Sequence, residues 1–385
     1  MEFSFTDEQR MLRDSIEQFA RNKVFPTAGE REQRGEFSFD IWKQMAELGL
    51  LGILYPEEYG GGGADTVTTC IAMESFARGG GDAGTGLSWG ANTILCGVPI
   101  WKIGNEAQRQ RYLPKLASGE GIGGFCLSEP DAGSDAAAMR TTAVKKGDRY
   151  ILNGTKMWIT NGPTGDFFVV TAKTAPEQKA FGISTFIVER DFPGFKVGKE
   201  LDKMGNRTSP TSEIMFEDCE VPEENLLGQE NFGFVQVAKL ILGYERTCLV
   251  APTIGGMEAG LEAAARYAND RPAFKKTIGD FGAVRRKLAH MKMRAEIARN
   301  LIYYGAWCLD QDKENLVEAA IAKIYATEEA LTCADEVIQV HGGYGYIKEF
   351  PAERGWRDAK LGTIGGGTSE IQRSIIARAV MNLGY

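Results

Sequence analysis

Serines, acids and glycine crowd together in CLSEPDAGSD, Cys126 to Asp135, where hydroxyls and carboxylates could hydrogen-bond a polar ligand at close range. The same composition also makes an ordinary turn, and by itself it favours one. Some twenty residues on, GTKMWITNG (Gly154 to Gly162) carries Trp158, a ring that could lie against another flat ring but by itself reads as a core residue. Toward the C-terminus RDAKL is followed by GGGTSEIQR, and glycines of this kind let a ligand approach the main chain. In LGYERT, Glu245 stands directly before Arg246. That carboxylate could accept a proton, or form half of a solvated pair, since adjacent helical residues do not face each other. Arg271 in RPAFKK reads, taken alone, as a surface charge.

Several common chemistries lack their residues. The two histidines, His290 and His341, lie far apart without metal-ligand spacing, which argues against a zinc hydrolase; no metal is expected. No Walker phosphate loop occurs, and no G-x-G-x-x-G follows a strand with an acidic residue at the required distance, so a nicotinamide Rossmann enzyme is disfavoured. A Ser-His-Asp hydrolase finds no G-x-S-x-G elbow to support it.

The chain of 385 residues, 43% of them hydrophobic, can bury a large core in two or three packed units. Its seven cysteines are odd in number and contain no Cys-x-x-Cys pair, a usage that suits reduced thiols. The polar start MEFSFTDEQR is unlike a secretory signal, and no apolar run approaches the roughly 20 residues of a spanning helix. A cytoplasmic protein is expected, or a mitochondrial-matrix one if the chain is a processed eukaryotic product. A net charge of −8 opposes nucleic-acid binding but leaves room for a local basic patch around a phosphate-bearing cofactor.

The elements that must position these residues fall into three blocks. Thr6 and Gln9 have capping-box spacing before Met11, Leu12, Ile16, Phe19 and Ala20, and a second helix is expected over Ile41 to Leu48 after Asp40. Residues 1–120 therefore read as helical. Residues 121–230 carry β-branched and aromatic runs, FFVVTAK, ISTFIVE and SEIMFEDCEV, between Gly, Pro and Asp, and read as a β domain. Residues 231–385 return to helical spacing, notably Phe281 to Leu309 and Leu316 to Val340. This order gives an α+β fold, mostly α, without alternating βαβ units. Glycine clusters at 60–63, 79–86, 342–345 and 365–367 mark loops.

Taken in order, CLSEPDAGSD, KMWITNG, RDAKL and GGGTSEIQR resemble the acyl-CoA dehydrogenase family across essentially the whole chain. The resemblance implies an N-terminal helical domain, a middle β domain and a C-terminal four-helix bundle, assembled as a homotetramer with noncovalent FAD. It places Phe125, Leu127, Ser128 and Gly133 on one side of the flavin and Trp158, Ile159 and Thr160 on the other, with the Thr160 hydroxyl near flavin N5. Ser134 is expected near cofactor and CoA chain alike, and Thr368 and Glu370 near the FAD phosphates or adenosine. Arg271, Phe274, Gln339, Gly342 and Gly343 match segments that contact a neighbouring subunit's FAD. Two positions depart from the family pattern: Lys275 stands where many relatives have Gly, and Gly282 where a flavin-contacting Gln is common.

Removing a hydrogen next to a thioester needs a carboxylate base. Most members place Glu just before the Gly-Thr of the C-terminal loop, but this chain has Gly366 there. A minority, the isovaleryl-CoA and long-chain types, place Glu before an Arg on a helix of the last domain, and Glu245–Arg246 matches that pattern. The resemblance thus makes Glu245 the base and puts Tyr244, Arg246 and Gly366 against the substrate, with the Gly366 N–H polarising the thioester oxygen. It implies acyl-CoA as substrate and electron-transfer flavoprotein as partner. GLSWGANTILC, GNEAQRQRYLPKL and GGYGYIKEFP resemble the isovaleryl-type branch, hence a short branched or alicyclic acyl group, with Trp89, Ile94 and Tyr244 expected around the acyl pocket. Reductases, acyl-CoA oxidases, flavin monooxygenases and flavin-containing binding proteins on the same scaffold share these motifs and stay open as alternatives.

Overall fold

The computed structural model describes residues 4–236 and 241–382; the MEF that begins the polar start lies outside them. The first helix, Asp7–Phe19, carries the expected reciprocal cap, Thr6 accepting from the Gln9 N–H and Gln9 from the Thr6 N–H. The next expected helix runs Phe39–Glu47, and its cap is Ser38, whose hydroxyl accepts from the Ile41 N–H, so Asp40 sits inside the first turn. Helical elements continue to Ser118.

Eight strands form one sheet: β1 (Gly123–Cys126), β2 (Thr142–Lys146), β3 (Arg149–Thr160), β4 (Phe167–Lys173), β5 (Ile183–Glu189), β6 (Phe195–Glu200), β7 (Thr211–Pro222) and β8 (Leu226–Leu227). Their order is β6-β7-β3-β2-β4-β5-β8, and β1 runs parallel to β4. The consecutive apolar residues that open FFVVTAK follow from burial on both faces. Phe167 and Val169 join the core of the helical domains, whereas Phe168, Val170 and Ala172 join a second core inside the β unit. The sheet is thereby locked to the helices at its β4 end.

Beyond residue 241 the long helices are Pro252–Asp270, Gly282–Asp310 and Leu316–His341, followed by Ala352–Lys360 and Ser369–Asn382. The two long periodic stretches in the sequence match the second and third of these within a residue or so. The 79–86 glycine cluster is only partly a loop, because Gly84 and Gly86 lie in the helix Ala83–Gly90. Gly84 is there for close packing: a Cβ would come 2.2 Å from Thr208 Oγ1. All seven cysteines are free and buried. Among the described residues, no helix is long and apolar enough to cross a membrane, and no group of His, Cys, Asp or Glu side chains could hold a metal ion.

Candidate active site

A cleft of about 2270 Å³ opens between β1, β3 and the C-terminal helices. Small-molecule pockets usually span roughly 300–1,000 Å³, so this space suits a large cofactor together with a second ligand. Phe125, Leu127, Ser128, Gly133, Ser134, Trp158, Ile159, Thr160, Tyr244, Glu245, Arg246, Gly366 and Thr368 all line it. The two motif loops and the Glu-Arg pair, far apart in sequence, thus meet on one cavity.

Trp158 is not a core residue. It is 62% exposed and has φ 65, in a stretch where the pairing of β3 with β7 slips between Lys156 and Ile159. A bulge of this kind re-aims a side chain, and a left-handed tryptophan persists only where its surroundings hold it against the strain. An exposed indole fixed in this way at a cavity wall offers a platform for a flat ring system.

The holding group is a buried ion pair that the sequence reading did not single out. Lys156 Nζ lies 2.9 Å from Glu129 Oε1 and donates to the Leu127 carbonyl at 3.1 Å. Glu129 also accepts from the N–H groups of Arg140 and Thr141 and from the Thr141 hydroxyl. Although burial opposes it, Lys156 and these donors pull the Glu129 carboxyl below the usual range. One pair therefore ties SEPDAGSD to KMWITNG across the cavity wall. Its signal in the sequence was a lysine among the apolar alternations of a β-strand.

Opposite this wall, Glu245 ends the short helix Leu242–Glu245 and is half-buried against the glycine loop. Gly366 has φ 66, and a Cβ there would lie 3.3 Å from Glu245 Oε1 and 3.4 Å from its Cδ. The carboxylate thus borders the space a side chain at position 366 would enter. Burial raises the Glu245 carboxyl above its ordinary range, opposed by the positive charges of Arg246 and Lys323. Behind it the loop carbonyls are held from inside the bundle. Gln372 Nε2 donates to Gly366 and Gly367 at 3.0 Å each, Lys323 Nζ to Gly367 at 2.7 Å, and Arg246 Nε to Gly366 at 3.4 Å. Arg246 is 3% exposed, not a solvated partner, and its buried Nη1 has no hydrogen-bond partner among the described residues. An unsatisfied guanidinium nitrogen at a cavity wall is costly unless a polar ligand meets it.

The helical wall comes from Ala83–Gly90 and the wider-wound turns Ala91–Gly97. Leu87, Ala91 and Leu95, four residues apart, face the cleft. Trp89 and Ile94 do not: Trp89 is 1% exposed with its indole N–H on the Leu50 carbonyl, and Ile94 is fully buried in the helical core. Of the three residues expected around an acyl pocket, only Tyr244 reaches it.

Arg271, Phe274, Gln339, Gly342, Gly343 and Glu370 lie outside the cleft. Arg271, Gly342 and Gly343 share a second hollow of about 520 Å³, where the Arg271 guanidinium lies 5.4 Å from the Tyr344 ring centre. Phe274 is 89% exposed at a hairpin tip, and both it (φ 49) and Lys275 (φ 66) are left-handed, so a glycine at 275 would relieve strain that lysine bears. Gly282 has open space where its Cβ would be, so a longer side chain would fit.

Three family profiles cover nearly the whole chain: acyl-CoA dehydrogenase N-terminal domain at residues 6–120, middle domain at 124–219 and C-terminal domain at 231–381. A mitochondrial isovaleryl-CoA dehydrogenase of Pongo abelii is 44% identical over 378 residues, spanning 97% of this chain and 89% of its own. The structure of butyryl-CoA dehydrogenase from Megasphaera elsdenii superposes with TM-score 0.96 at 39% identity, covering 99% of this chain and 100% of that one. A structure of PigA with FAD and proline matches with TM-score 0.96 at 31% identity, both chains covered completely.

Proposed function

Because the chain belongs to the acyl-CoA dehydrogenase family and is therefore an FAD-dependent oxidoreductase acting on CH–CH groups, we propose that it converts a short branched or alicyclic acyl-CoA to the 2-enoyl-CoA with Glu245 as the base. The observation that carries this reading is the Glu245 carboxylate beside Gly366, in the space where a side chain on the glycine loop would project. A proton acceptor on the neighbouring helix and one on the loop would serve the same reacting carbon.

Phe125, Leu127, Ser128, Trp158, Ile159 and Thr160 would hold the flavin, with Trp158 as its platform and the Glu129–Lys156 pair fixing both loops. The chemistry that FAD supplies when bound is two-electron oxidation of the acyl carbons. Glu245 takes the proton from the carbon next to the thioester. With its carbonyl tied to Gln372 and Arg246, Gly366 offers its N–H to the thioester oxygen, which acidifies that carbon. Leu87, Ala91, Leu95, Tyr244 and Leu249 give the acyl group an apolar wall and exclude water from the base. Such a wall, together with the isovaleryl-type relative, supports a compact apolar acyl group.

Arg271, Phe274, Gln339, Gly342 and Gly343, exposed and away from the chain's own cleft, suit contacts to the FAD of a neighbouring subunit in a homotetramer. Electron-transfer flavoprotein is the proposed acceptor. Anaerobic titration of the FAD-loaded protein with straight, branched and cyclic acyl-CoAs tests the reading. Isovaleryl-CoA or another short branched thioester should bleach the flavin most readily. Failure of every acyl-CoA to do so would contradict it, and rapid reoxidation by air would point to an oxidase instead.

A further inference from the structure

Lys323 sits on the helix Leu316–His341 among Ala319, Ala320, Ala322 and Ala326, all fully buried, and is itself 2% exposed. A lysine in so apolar a face is costly unless its charge is answered. No carboxylate lies within ion-pair distance of it among the described residues. Among the described residues its one hydrogen-bond acceptor is the Gly367 carbonyl, at 2.7 Å, and it lines the active-site cleft. The charged groups that act on it are Glu245 and Arg246 from the facing segment, Glu328 on its own helix and Glu370 on Ser369–Asn382. Glu245 is the strongest attraction among them.

We propose that Lys323 is a positioning residue for the reaction: its ammonium pins the Gly366–Gly367 turn through the Gly367 carbonyl and faces the Glu245 carboxylate, so one buried cation sets both the place and the charge of the proton acceptor. The turn needs such a hold. Gly366 and Gly367 are both left-handed, at φ 66 and 87, and glycine there leaves the chain otherwise free to rearrange. Gln372 secures the same carbonyls but carries no charge. Arg246 carries charge but reaches only the Gly366 carbonyl, and at 3.4 Å. Arg246 is the larger of the two charges acting on Glu245, and Lys323 is the one that joins its charge to a short hydrogen bond on the turn. Burial pushes its ammonium down to about 8, with Glu245 holding it up, so the cation persists at neutral pH.

The proposal rests on Glu245 being the base, and the experiment separates the two. FAD-loaded wild type, Glu245→Gln, Lys323→Met, Lys323→Gln and Lys323→Arg are compared by single-turnover flavin reduction from pH 5 to 9, with substrate affinity and melting temperature measured in parallel. Loss of the charge should move the acidic limb of the rate profile up by about one pH unit or more in the Met and Gln variants, the usual reach of a nearby opposite charge. The limiting rate should fall about 10-fold or more in Lys323→Met as the turn loosens, with affinity for acyl-CoA little changed. Lys323→Gln, which can still donate to Gly367, should keep more of that rate, and Lys323→Arg should keep the limb in place. If Lys323→Met does not load flavin, the Gln variant carries the comparison. Unshifted limbs and unchanged limiting rates in the Met and Gln variants, with only melting temperature lowered, would overturn the positioning role. A Glu245→Gln variant as fast as wild type would overturn the underlying assignment of the base instead.

Discussion

Alanine in place of Gly366 puts a methyl carbon where the Glu245 carboxylate now has room. The new Cβ lies 3.3 Å from Oε1 and 3.4 Å from Cδ, so the carboxylate must give by a few tenths of an ångström. The backbone at φ 66 adds strain of about 1–2 kcal/mol for any side chain, part of it offset by about 0.4–1 kcal/mol of lost freedom in the unfolded chain. Folding should therefore weaken by only about 1 kcal/mol. Chemistry is more sensitive, since a 1 Å misplacement can cost about 10²-fold, and the smaller displacement here should slow flavin reduction about 10-fold. Anaerobic stopped-flow absorbance of the FAD-loaded variant under saturating acyl-CoA measures this directly. Gly365 is the control within the same loop: its Cβ would meet nothing closer than 3.7 Å and its φ is not left-handed, so Gly365→Ala should stay within about twofold of wild type. A Gly366→Ala variant that reduces its flavin at the wild-type rate would refute the idea that the carboxylate must sit beside this glycine.

Lys156→Met leaves the Glu129 charge buried with only its N–H and hydroxyl donors, so stability to urea should drop by about 3 kcal/mol, the low end for a broken buried pair, and flavin retention with it; a drop below about 1 kcal/mol would show that the pair does not fix these loops. Burial raises the Asp358 carboxyl to about 6, against the Asn206 N–H that holds it at 2.6 Å. Its folded-state preference for the proton favours the fold fully below about pH 4 and is lost as pH rises through about 6. Asp358→Asn should therefore raise the melting temperature over wild type at pH 7.5, by an amount worth about 3 kcal/mol, and at pH 4.5 by one worth only about 1 kcal/mol; equal effects at both pH values would contradict this.

The three-block order and the long helices were legible because burial repeats on a helical or a strand period over many residues. FFVVTAK read as a strand from its β-branched and aromatic residues, while its burial on both faces came from the fold. Details of direction were not. Leu87, Ala91 and Leu95 share a face that excludes Trp89 and Ile94, and the change of winding at Ala91–Gly97 that sets this face has no signature in residue type. Ser38 and Asp40 are both good caps, and only the backbone decides between them. Trp158 became a cavity residue through a bulge in the pairing of β3 with β7, a property of two strands together. Glu245 was singled out only through the family resemblance together with the glycine at position 366, beside which its carboxylate lies. Lys323 and Glu129 needed the fold, since what singles them out is where their charge is buried.

Glu245 is proposed as the group that removes the proton. Single-turnover flavin reduction by a short branched acyl-CoA, wild type against Glu245→Gln with equal FAD content and substrate affinity, measures it directly. The rate should fall about 10²–10⁴-fold in the variant, the contribution of a general base. Reduction at the wild-type rate would assign the proton to another group.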